Sequence, residues 1–328
     1  MQGHVSILSV SPEAAAMIAS GGRISTMDGT ADEIYANSLS AGQEKNEKLI
    51  GKVLSSGHTS VLEHCYVNLS FENVSVLAEQ FLIEFRLASF TVKSRRYVDF
   101  SKAGYVSSVS TDNVQKAIFE RTVESLFGTY DVLEAAGVPK EDARFVLPYC
   151  FCSNFFCSMN ARELVHVMNE LAYGRGSRIP ELRALGESLF AQCEQQIPFL
   201  AVRKPEAYRQ SDAFCLRQVQ LLTSKAPVTV LAAPQDAEGL ICGAYQLARG
   251  YVPQPLTEPE QTSLLKSLLA QPRKRELEQA SYTLQFGGLS LAALTHLTRH
   301  RMQALCVPEL LKTARYDRYV LPESVRQA

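Results

Sequence analysis

The alternation of apolar and polar residues along the chain predicts strands and helices in mixed order. Residues 5–10 form a short apolar strand followed by a helix, and residues 65–71 place Cys65, Val67, Leu69 and Phe71 on one face and polar side chains on the other. Apolar residues recur at helical spacing over 31–56 and 114–136, and a glycine follows each stretch. Pro180 opens a further helix. The pattern predicts a mixed α/β or α+β fold.

The same pattern occurs twice. Residues 61–86 and 276–301 align without a gap and agree at Leu62/Leu277, Glu63/Glu278, Leu69/Leu284, Phe71/Phe286, Ser75/Ser290, Ala78/Ala293, Leu82/Leu297 and Arg86/Arg301. Upstream, a strand and helix at 5–25 parallel those at 228–248. An internal duplication is therefore predicted. Its parts are a first domain at 1–205, a connector at 206–227 and a partial second copy of the same domain at 228–328.

The two copies differ in the residues that close the repeat. The second copy ends in Arg299, His300 and Arg301, where the first has Glu84 and Phe85 before its arginine. Three consecutive residues fan out around a helix end, an arrangement that suits a phosphate or pyrophosphate. A solvated cationic helix end is the alternative, and spacing alone favours it.

Composition narrows the classes of function. The chain has 328 residues, and 33 basic against 34 acidic side chains give a net charge of −1, which argues against a dedicated nucleic-acid binder. A cytoplasmic protein with no membrane association is expected, because neither a signal peptide nor a membrane-spanning apolar stretch is present. The eight cysteines should be reduced. Cys150, Cys152 and Cys157 should be small buried apolar residues rather than metal ligands, and no metal site is expected.

Three polar segments are candidates for ligand binding. Residues 94–97 (SRRY) carry two arginines and a hydroxyl that suit a phosphate, with a solvated turn as an equal alternative. Residues 57–64 (GHTSVLEH) place two imidazoles and a carboxylate before a strand, which is a weak signal alone. Residues 160–162 (NAR) begin a helix, where an anion or a polar heterocycle binds well; simple capping is the alternative.

The order of these segments resembles the flavin-dependent thymidylate synthases. The resembling segments are GHTSVLEH (57–64), FRLASFTVKSRRYV (85–98), ARFVLP (143–148) and SMNAREL (158–164), which span most of the first 200 residues. The resemblance implies a thymidylate-synthase-complementing-protein-like fold, FAD as cofactor, and conversion of dUMP to dTMP with methylenetetrahydrofolate and NADPH. It also implies a homo-oligomer whose active sites are built from several subunits.

The resemblance assigns roles to individual residues. Positions that match flavin-contacting residues are Ser25, His58, Ser60, Glu63, Arg86, Asn160 and Arg162, joined by Arg299, His300 and Arg301 from the second copy. Positions that match dUMP-binding residues are Ser94, Arg96 and Arg144.

The chain also departs from the family pattern. Glu84 and Phe85 stand where the signature has arginine and histidine, and exchanging an arginine for a glutamate beside a phosphate costs several kcal/mol at an effective dielectric of about 20. The uracil-polarising arginine of the family falls on Leu171 or Tyr173, and Arg175 is a tentative catalytic replacement.

Each copy lacks some of the family's signature residues. Either the protein has lost the family's function, or the two copies contribute different residues to one shared site. We hypothesise a pseudo-dimer within one chain, in which the second copy supplies Arg-His-Arg and FAD lies between the copies. The alternatives are a catalytically impaired flavin- or nucleotide-binding paralogue and a structural partner of an active synthase subunit.

Overall fold

The structure is a computed structural model that describes residues 3–107, 112–209, 227–272, 274–300, 302–308, 310 and 319–328. The chain divides into two compact units. Unit 1 comprises Met1–Leu216 and Thr295–Ala328, and unit 2 is Arg217–Leu294. The predicted second copy is thus shared between the two units, and most of the predicted connector lies outside the described residues.

A four-stranded antiparallel sheet of order β1-β2-β4-β3 forms the centre of unit 1. Its strands are β1 (His4–Val10), β2 (Tyr66–Ser75), β3 (Ala88–Val92) and β4 (Cys152–Asn160). The predicted inward face of β2 is confirmed: Cys65, Val67, Leu69 and Phe71 are fully buried. They join one core with residues of the helices that follow β4, such as Leu164, Met168 and Leu189.

The helices of unit 1 surround this sheet. They are α1 (Ala14–Arg23), α2 (Ala31–Ala41), α3 (Gln43–Ser55), α4 (Val76–Leu82), α5 (Asn113–Ala135), α6 (Lys140–Ala143), α7 (Ala161–Ala172), α8 (Pro180–Gln196), α9 (Pro205–Tyr208) and a final short helix, Glu323–Gln327. Short 3-10 turns cover Thr59–His64, Arg144–Val146, Arg175–Arg178 and Pro198–Leu200. The mixture of helices with an antiparallel sheet confirms the predicted α+β class. None of the helices in the described ranges has the length and apolar character that a membrane crossing requires.

Local signals in the sequence account for several helix ends. Ser75 and Asn160 cap α4 and α7, because Ser75 Oγ accepts from the Ala78 amide and Asn160 Oδ1 from the Glu163 amide. The single helix predicted over 31–56 is wrong. Gly42, at φ 79°, adopts a left-handed conformation that divides it into α2 and α3.

Unit 2 has the element order of the first part of unit 1, from β1 to α4, with fewer helices between the strands. It contains β5 (Val228–Ala232), α10 (Ala237–Ala248), α11 (Glu258–Ala270), a 3-10 turn at Arg275–Gln279, β6 (Thr283–Phe286) and the start of α12 (Leu291–Thr298). β5 pairs with β6 in antiparallel orientation.

The two antiparallel strand pairs share their register. In unit 1, Val5 faces Phe71 and Ile7 faces Leu69, and the register shifts between Ile7 and Ser9. In unit 2, the equivalent pairs are Val228 with Phe286 and Val230 with Leu284, and the shift falls between Val230 and Ala232. Each pair lies at the offset at which the sequences align. The duplication remains a prediction, and this agreement of register and irregularity supports it.

Candidate functional site

Four arginines from three parts of unit 1 lie close together. Arg95 and Arg96 follow β3, Arg144 begins the 3-10 turn after α6, and Arg299 follows α12. The pKa of Arg144 is lowered, first by burial and then by the charges of the other three, so the four guanidinium groups share one electrostatic environment. We call this group the arginine cluster. It joins the predicted phosphate residues Arg96 and Arg144 to one residue of the Arg-His-Arg triplet.

Glu79 of α4 lies buried against the arginine cluster. Its Oε2 accepts hydrogen bonds from Arg95 Nη2 and Ser153 Oγ, both at 2.5 Å, and its Oε1 lies 3.5 Å from Arg299 Nη2. The side chain is fully buried, so these partners replace the water that an exposed carboxylate would have. Glu79 was missed in the sequence, where its only signal is a carboxylate within the apolar stretch of α4.

The arginine cluster keeps an excess of positive charge. Glu79 and Glu141, whose Oε2 lies 3.4 Å from Arg96 Nε, are the carboxylates paired with its members. Among the described residues, two carboxylates against four arginines leave an excess of two positive charges. Arg95 Nε is buried and has no hydrogen-bond acceptor among the described residues. A dianionic phosphate would balance this charge and satisfy that donor.

Polar contacts hold the last turn of α12 and Arg299 in place within unit 1. Gln80 Nε2 donates to Thr298 Oγ1 at 3.3 Å, and the hydroxyls of Tyr149 and Thr295 lie 3.1 Å apart. Both threonines are buried. His300 is exposed, and Arg301 lies outside the described residues.

A cleft of about 200 Å³ opens along α4, next to Gln80. It is lined by Leu77, Gln80, Phe81, Glu84, Arg175, Arg178, Ile179, Val307, Pro308 and Leu310. Gln80 Oε1 is buried at this cleft without a hydrogen-bond partner in the described part of the chain. The cleft therefore combines apolar walls with an unused acceptor, which suits a polar heterocycle.

Arg175, the tentative catalytic residue, is engaged by two carboxylates at this cleft. Its Nη2 lies 3.1 Å from Glu84 Oε2, its Nε lies 3.8 Å from Glu170 Oε1, and its guanidinium lies over the Phe81 ring at 5.0 Å. Burial raises the pKa of Glu84, and the charge of Arg175 acts in the opposite direction. Part of the charge of Arg175 is thus offset before any ligand binds.

The predicted flavin residues form a different face of unit 1. His58, Ser60 and Glu63 are exposed in and beside the 3-10 turn that precedes β2. Arg162 Nη1, in the first turn of α7, donates to Glu63 Oε1 at 2.5 Å next to the cap residue Asn160. We call these five residues the flavin face.

Two further residues predicted to contact flavin are exposed on the surface of unit 1. Arg86 is exposed in the turn before β3, and Ala88 at the start of that strand pairs with Met159, the neighbour of Asn160. Ser25 is exposed after α1, and its Oγ donates to the Gly22 carbonyl at 3.2 Å. Ser94, predicted to bind the nucleotide, accepts from the Arg96 amide at 3.3 Å through its Oγ.

The flavin face and the arginine cluster lie toward opposite ends of β4. Ser153, which binds Glu79, and Asn160 are separated by seven residue steps of this strand, roughly 23 Å at 3.3 Å per residue. Within unit 1 the structure does not bring Arg299 to Arg162. The triplet instead contributes Arg299 to the arginine cluster.

Three cysteines, Cys150, Cys152 and Cys193, are unsuited to nucleophilic chemistry. Burial raises the pKa of Cys150 and of Cys152 to about 11, and that of Cys193 to about 12. A thiol with such a pKa stays protonated near neutral pH. Cys152 and Cys157 are buried, as expected for small apolar residues, whereas Cys150 is half-buried. In the ranges that the structure describes, no three His, Cys, Asp or Glu side chains are grouped as metal ligands would be.

His296 should report on anion binding at the arginine cluster. Its pKa is below the ordinary 6.5 because of burial, and secondarily because of Arg144, Arg299, Arg96 and Arg95. A bound anion favours the charged imidazolium, so saturating sulfate, which stays dianionic, should raise the pKa. By linkage, sulfate binding should tighten as pH falls through this range. NMR titration with and without sulfate measures the pKa of His296 and the pH dependence of sulfate binding. The His296→Gln variant assigns the imidazole signal. An unchanged pKa in sulfate would contradict the assignment of an anion site.

Comparisons with known proteins identify the family of this chain. The family model described as thymidylate synthase complementing protein matches residues 6–199, more than half of the chain. The chain belongs to this family. The resemblance predicted from the segments between 57 and 164 is therefore confirmed. The match covers the flavin face, the SRRY segment and Arg144, and it ends before unit 2.

Relatives of the thymidylate synthase complementing protein family align over different lengths. The flavin-dependent thymidylate synthase of Geobacter sulfurreducens is 34% identical over 166 residues, which cover 49% of this chain and 70% of the relative. That of Nitratidesulfovibrio vulgaris is 29% identical over 256 residues, 74% of this chain and 96% of the relative. Among solved structures, the UMP/dUMP methylase PolB from Streptomyces cacaoi bound with 5-Br dUMP is 21% identical, with a TM-score of 0.49 over 61% of this chain and 93% of its own.

Proposed function

We propose that this protein is an FAD-dependent thymidylate synthase that methylates dUMP to dTMP with methylenetetrahydrofolate and NADPH. The observation that carries the proposal is the arginine cluster beside the cleft of α4, in a chain whose relatives are named flavin-dependent thymidylate synthases. A phosphate site next to a pocket with an unused polar acceptor is the arrangement that a nucleotide monophosphate requires.

In this proposal the nucleotide lies along α4. Ser94, Arg96 and Arg144 bind the phosphate of dUMP, and the uracil ring enters the cleft, where Gln80 Oε1 accepts its N3–H. Arg175 lines the same cleft, and a guanidinium that donates to a uracil carbonyl stabilises negative charge on the ring. That stabilisation makes C5 a better nucleophile.

The donors of the flavin face fit FAD. His58, Ser60 and Arg162 present an imidazole, a hydroxyl and a guanidinium at an exposed surface, and Arg162 uses only Nη1 for Glu63. Such donors match the pyrophosphate and the ring carbonyls of FAD. When bound, FAD supplies the hydride chemistry that reduces the transferred carbon unit with electrons from NADPH. Asn160 shapes the start of α7, and Arg86 and Ser25 extend the contact surface.

We further propose that the active site is completed by a second subunit. A flavin ring and a uracil must approach to about 3–3.5 Å for reaction, whereas the flavin face and the arginine cluster are separated by roughly 23 Å along β4. A homo-oligomer in which one subunit presents its flavin face to the arginine cluster of another removes this separation. Equilibrium sedimentation should therefore show a concentration-dependent oligomer.

A second candidate function is a flavin- and nucleotide-binding paralogue without synthase activity. The observation that favours it is the pairing of Arg175 with Glu84 and Glu170, which weakens its action on uracil. A structural partner of an active synthase is the third possibility. The synthase and the flavin-binding paralogue should both retain yellow flavin after purification, whereas the structural partner should not. Of the three, only the synthase forms dTMP.

Arg162→Ala should lower the flavin content of the purified protein. Loss of a charge-assisted contact to an anionic cofactor costs about 1.5–3 kcal/mol, or roughly 10–100-fold in affinity. The measurement is the flavin-to-protein absorbance ratio after dialysis and the Kd for added FAD. Arg183→Ala, at an exposed arginine of α8, is the matched control and should bind FAD like the wild type. Equal affinities for the two variants would remove Arg162 from the FAD site.

Rescue of a thymidine-requiring strain tests the proposed activity in cells. The wild-type chain should support growth without thymidine, and Arg144→Ala, expressed at the same level, should not. Arg183→Ala should rescue like the wild type. Failure of the wild-type chain, when present and flavin-bound, would favour the paralogue without synthase activity.

A further inference from the structure

Glu79 is the buried centre of the arginine cluster and has no part in the function proposed above. We propose that Glu79 is a positioning residue that holds Arg299 in the nucleotide site, so that Arg299 and Arg95 Nε contact the phosphate of the substrate. The identity of that substrate as dUMP rests on the proposed function. Arg299 is thereby assigned to the nucleotide rather than to the flavin of its own subunit.

The two oxygens of Glu79 serve different partners. Oε2 is shared by Arg95 and Ser153, and Oε1 is left for Arg299. Because Glu79 is fully buried and Arg95 nearly so, water screens this pair weakly. Without the carboxylate, Arg95 and Arg299 would repel each other and Arg144, and the exposed one would move away. Glu79 therefore fixes where the charge of Arg299 lies.

Arg299 is exposed enough to bind a phosphate from solution. It approaches Glu79 through Nη2, while 40% of its side chain remains exposed. The hydrogen bond from Gln80 to Thr298 and the contact of Tyr149 with Thr295 fix the backbone just before it. The guanidinium thus has one anchored nitrogen and others available to an incoming anion.

Arg95 supplies a second, independent observation. Its Nη2 is engaged by Glu79 and its guanidinium lies over Phe151, whereas its buried Nε has no acceptor among the described residues. A buried donor without an acceptor is unfavourable, and a phosphate oxygen would remove that cost. The unused donor and the excess positive charge therefore both indicate a phosphate.

Calorimetric titration of the full chain with dUMP, deoxyuridine and inorganic phosphate tests the proposal. Arg299→Ala should weaken dUMP and phosphate binding by about 10–100-fold and leave deoxyuridine binding unchanged. Glu79→Gln should reproduce this pattern. The double variant should be no more than about threefold weaker than Glu79→Gln, because Glu79 acts through Arg299. Arg326→Ala, at an exposed arginine of the last helix, is the control and should bind all three ligands like the wild type.

Glu79→Asp is included because Glu79→Gln leaves Arg95 buried without a partner charge. The shorter side chain keeps the negative charge but retracts from Arg299, so dUMP binding should weaken while the chain stays folded by circular dichroism. Arg299→Ala changes a partly exposed residue and gives a result even where Glu79→Gln is unfolded.

Three results would overturn the inference. The first is unchanged affinity of Arg299→Ala for dUMP and phosphate. The second is an equal loss of affinity for dUMP and deoxyuridine in Arg299→Ala. The third is a double variant whose loss of dUMP affinity is the product of the losses in the two single variants. Wild-type protein that does not bind dUMP, but binds inorganic phosphate in a way that depends on both Arg299 and Glu79, would support the positioning role and contradict the proposed function.

Discussion

Glu79→Ala should destabilise unit 1 by about 3–5 kcal/mol, because it leaves Arg95 buried with no carboxylate beside it. Arg95 has only 7% of its side chain exposed and cannot regain water without rearranging the loop after β3. For a unit of this size the loss corresponds to a decrease in Tm of about 10 °C. Thermal and urea denaturation, followed by circular dichroism, measure the change.

Two further variants show whether the destabilisation comes from breaking the buried Glu79–Arg95 ion pair or from removing any carboxylate beside an arginine. Glu141→Ala removes a half-exposed partner of Arg96 and should cost less than about 1 kcal/mol. Replacing Glu79 and Arg95 together by methionine removes both buried charges and should recover much of the stability lost in Glu79→Ala. If Glu79→Ala were as mild as Glu141→Ala, the buried pair would not contribute to stability as the structure indicates.

Arg144→Ala should lower kcat/KM for dUMP by about 100-fold or more. The residue is part of the predicted phosphate site, its Nε already donates to the Glu141 carbonyl at 2.9 Å, and its guanidinium is fixed near Arg96 and Arg299. Losing such a preorganised charge costs about 1.5–3 kcal/mol through the hydrogen bonds and more through the field of the arginine cluster. The effect should fall mainly on KM, because phosphate binding is the same in the ground and transition states.

The control for Arg144→Ala is Arg121→Ala, at an exposed arginine of α5. Both variants should keep the wild-type flavin content, because they leave the proposed FAD donors His58, Ser60 and Arg162 unchanged. A fall in kcat with KM unchanged would place Arg144 at the reacting ring rather than at the phosphate.

Local patterns predicted the elements with strong signals. The alternating strand at 65–71, the long helix near 114–136, the helix opened by Pro180 and the caps at Ser75 and Asn160 are all present. β3 and β4 were not predicted. β4 is the central partner of β2, and apart from Phe155 and Phe156 it consists mainly of cysteine, serine and asparagine, which give little strand signal. Pairing with its neighbours, rather than propensity, makes it a strand.

Candidate site residues could be predicted from the sequence only where the polar or charged side chains lie next to one another in one segment. The SRRY segment, Arg144 and the Asn160–Arg162 turn were identified by their order along the chain, and family membership is now established. The Glu79–Arg95 pair and the approach of Arg299 were not identified, because these residues meet only through tertiary packing. The roles of the predicted site residues and the duplication remain predictions.

The most direct test of the central claim is turnover by the purified chain. Protein loaded with FAD is incubated with dUMP, methylenetetrahydrofolate and NADPH, and dTMP is measured by chromatography. We expect dTMP formation that requires all three substrates and FAD and is reduced about 100-fold or more in Arg144→Ala at limiting dUMP. FAD-loaded wild-type protein that binds dUMP and forms no dTMP would contradict it.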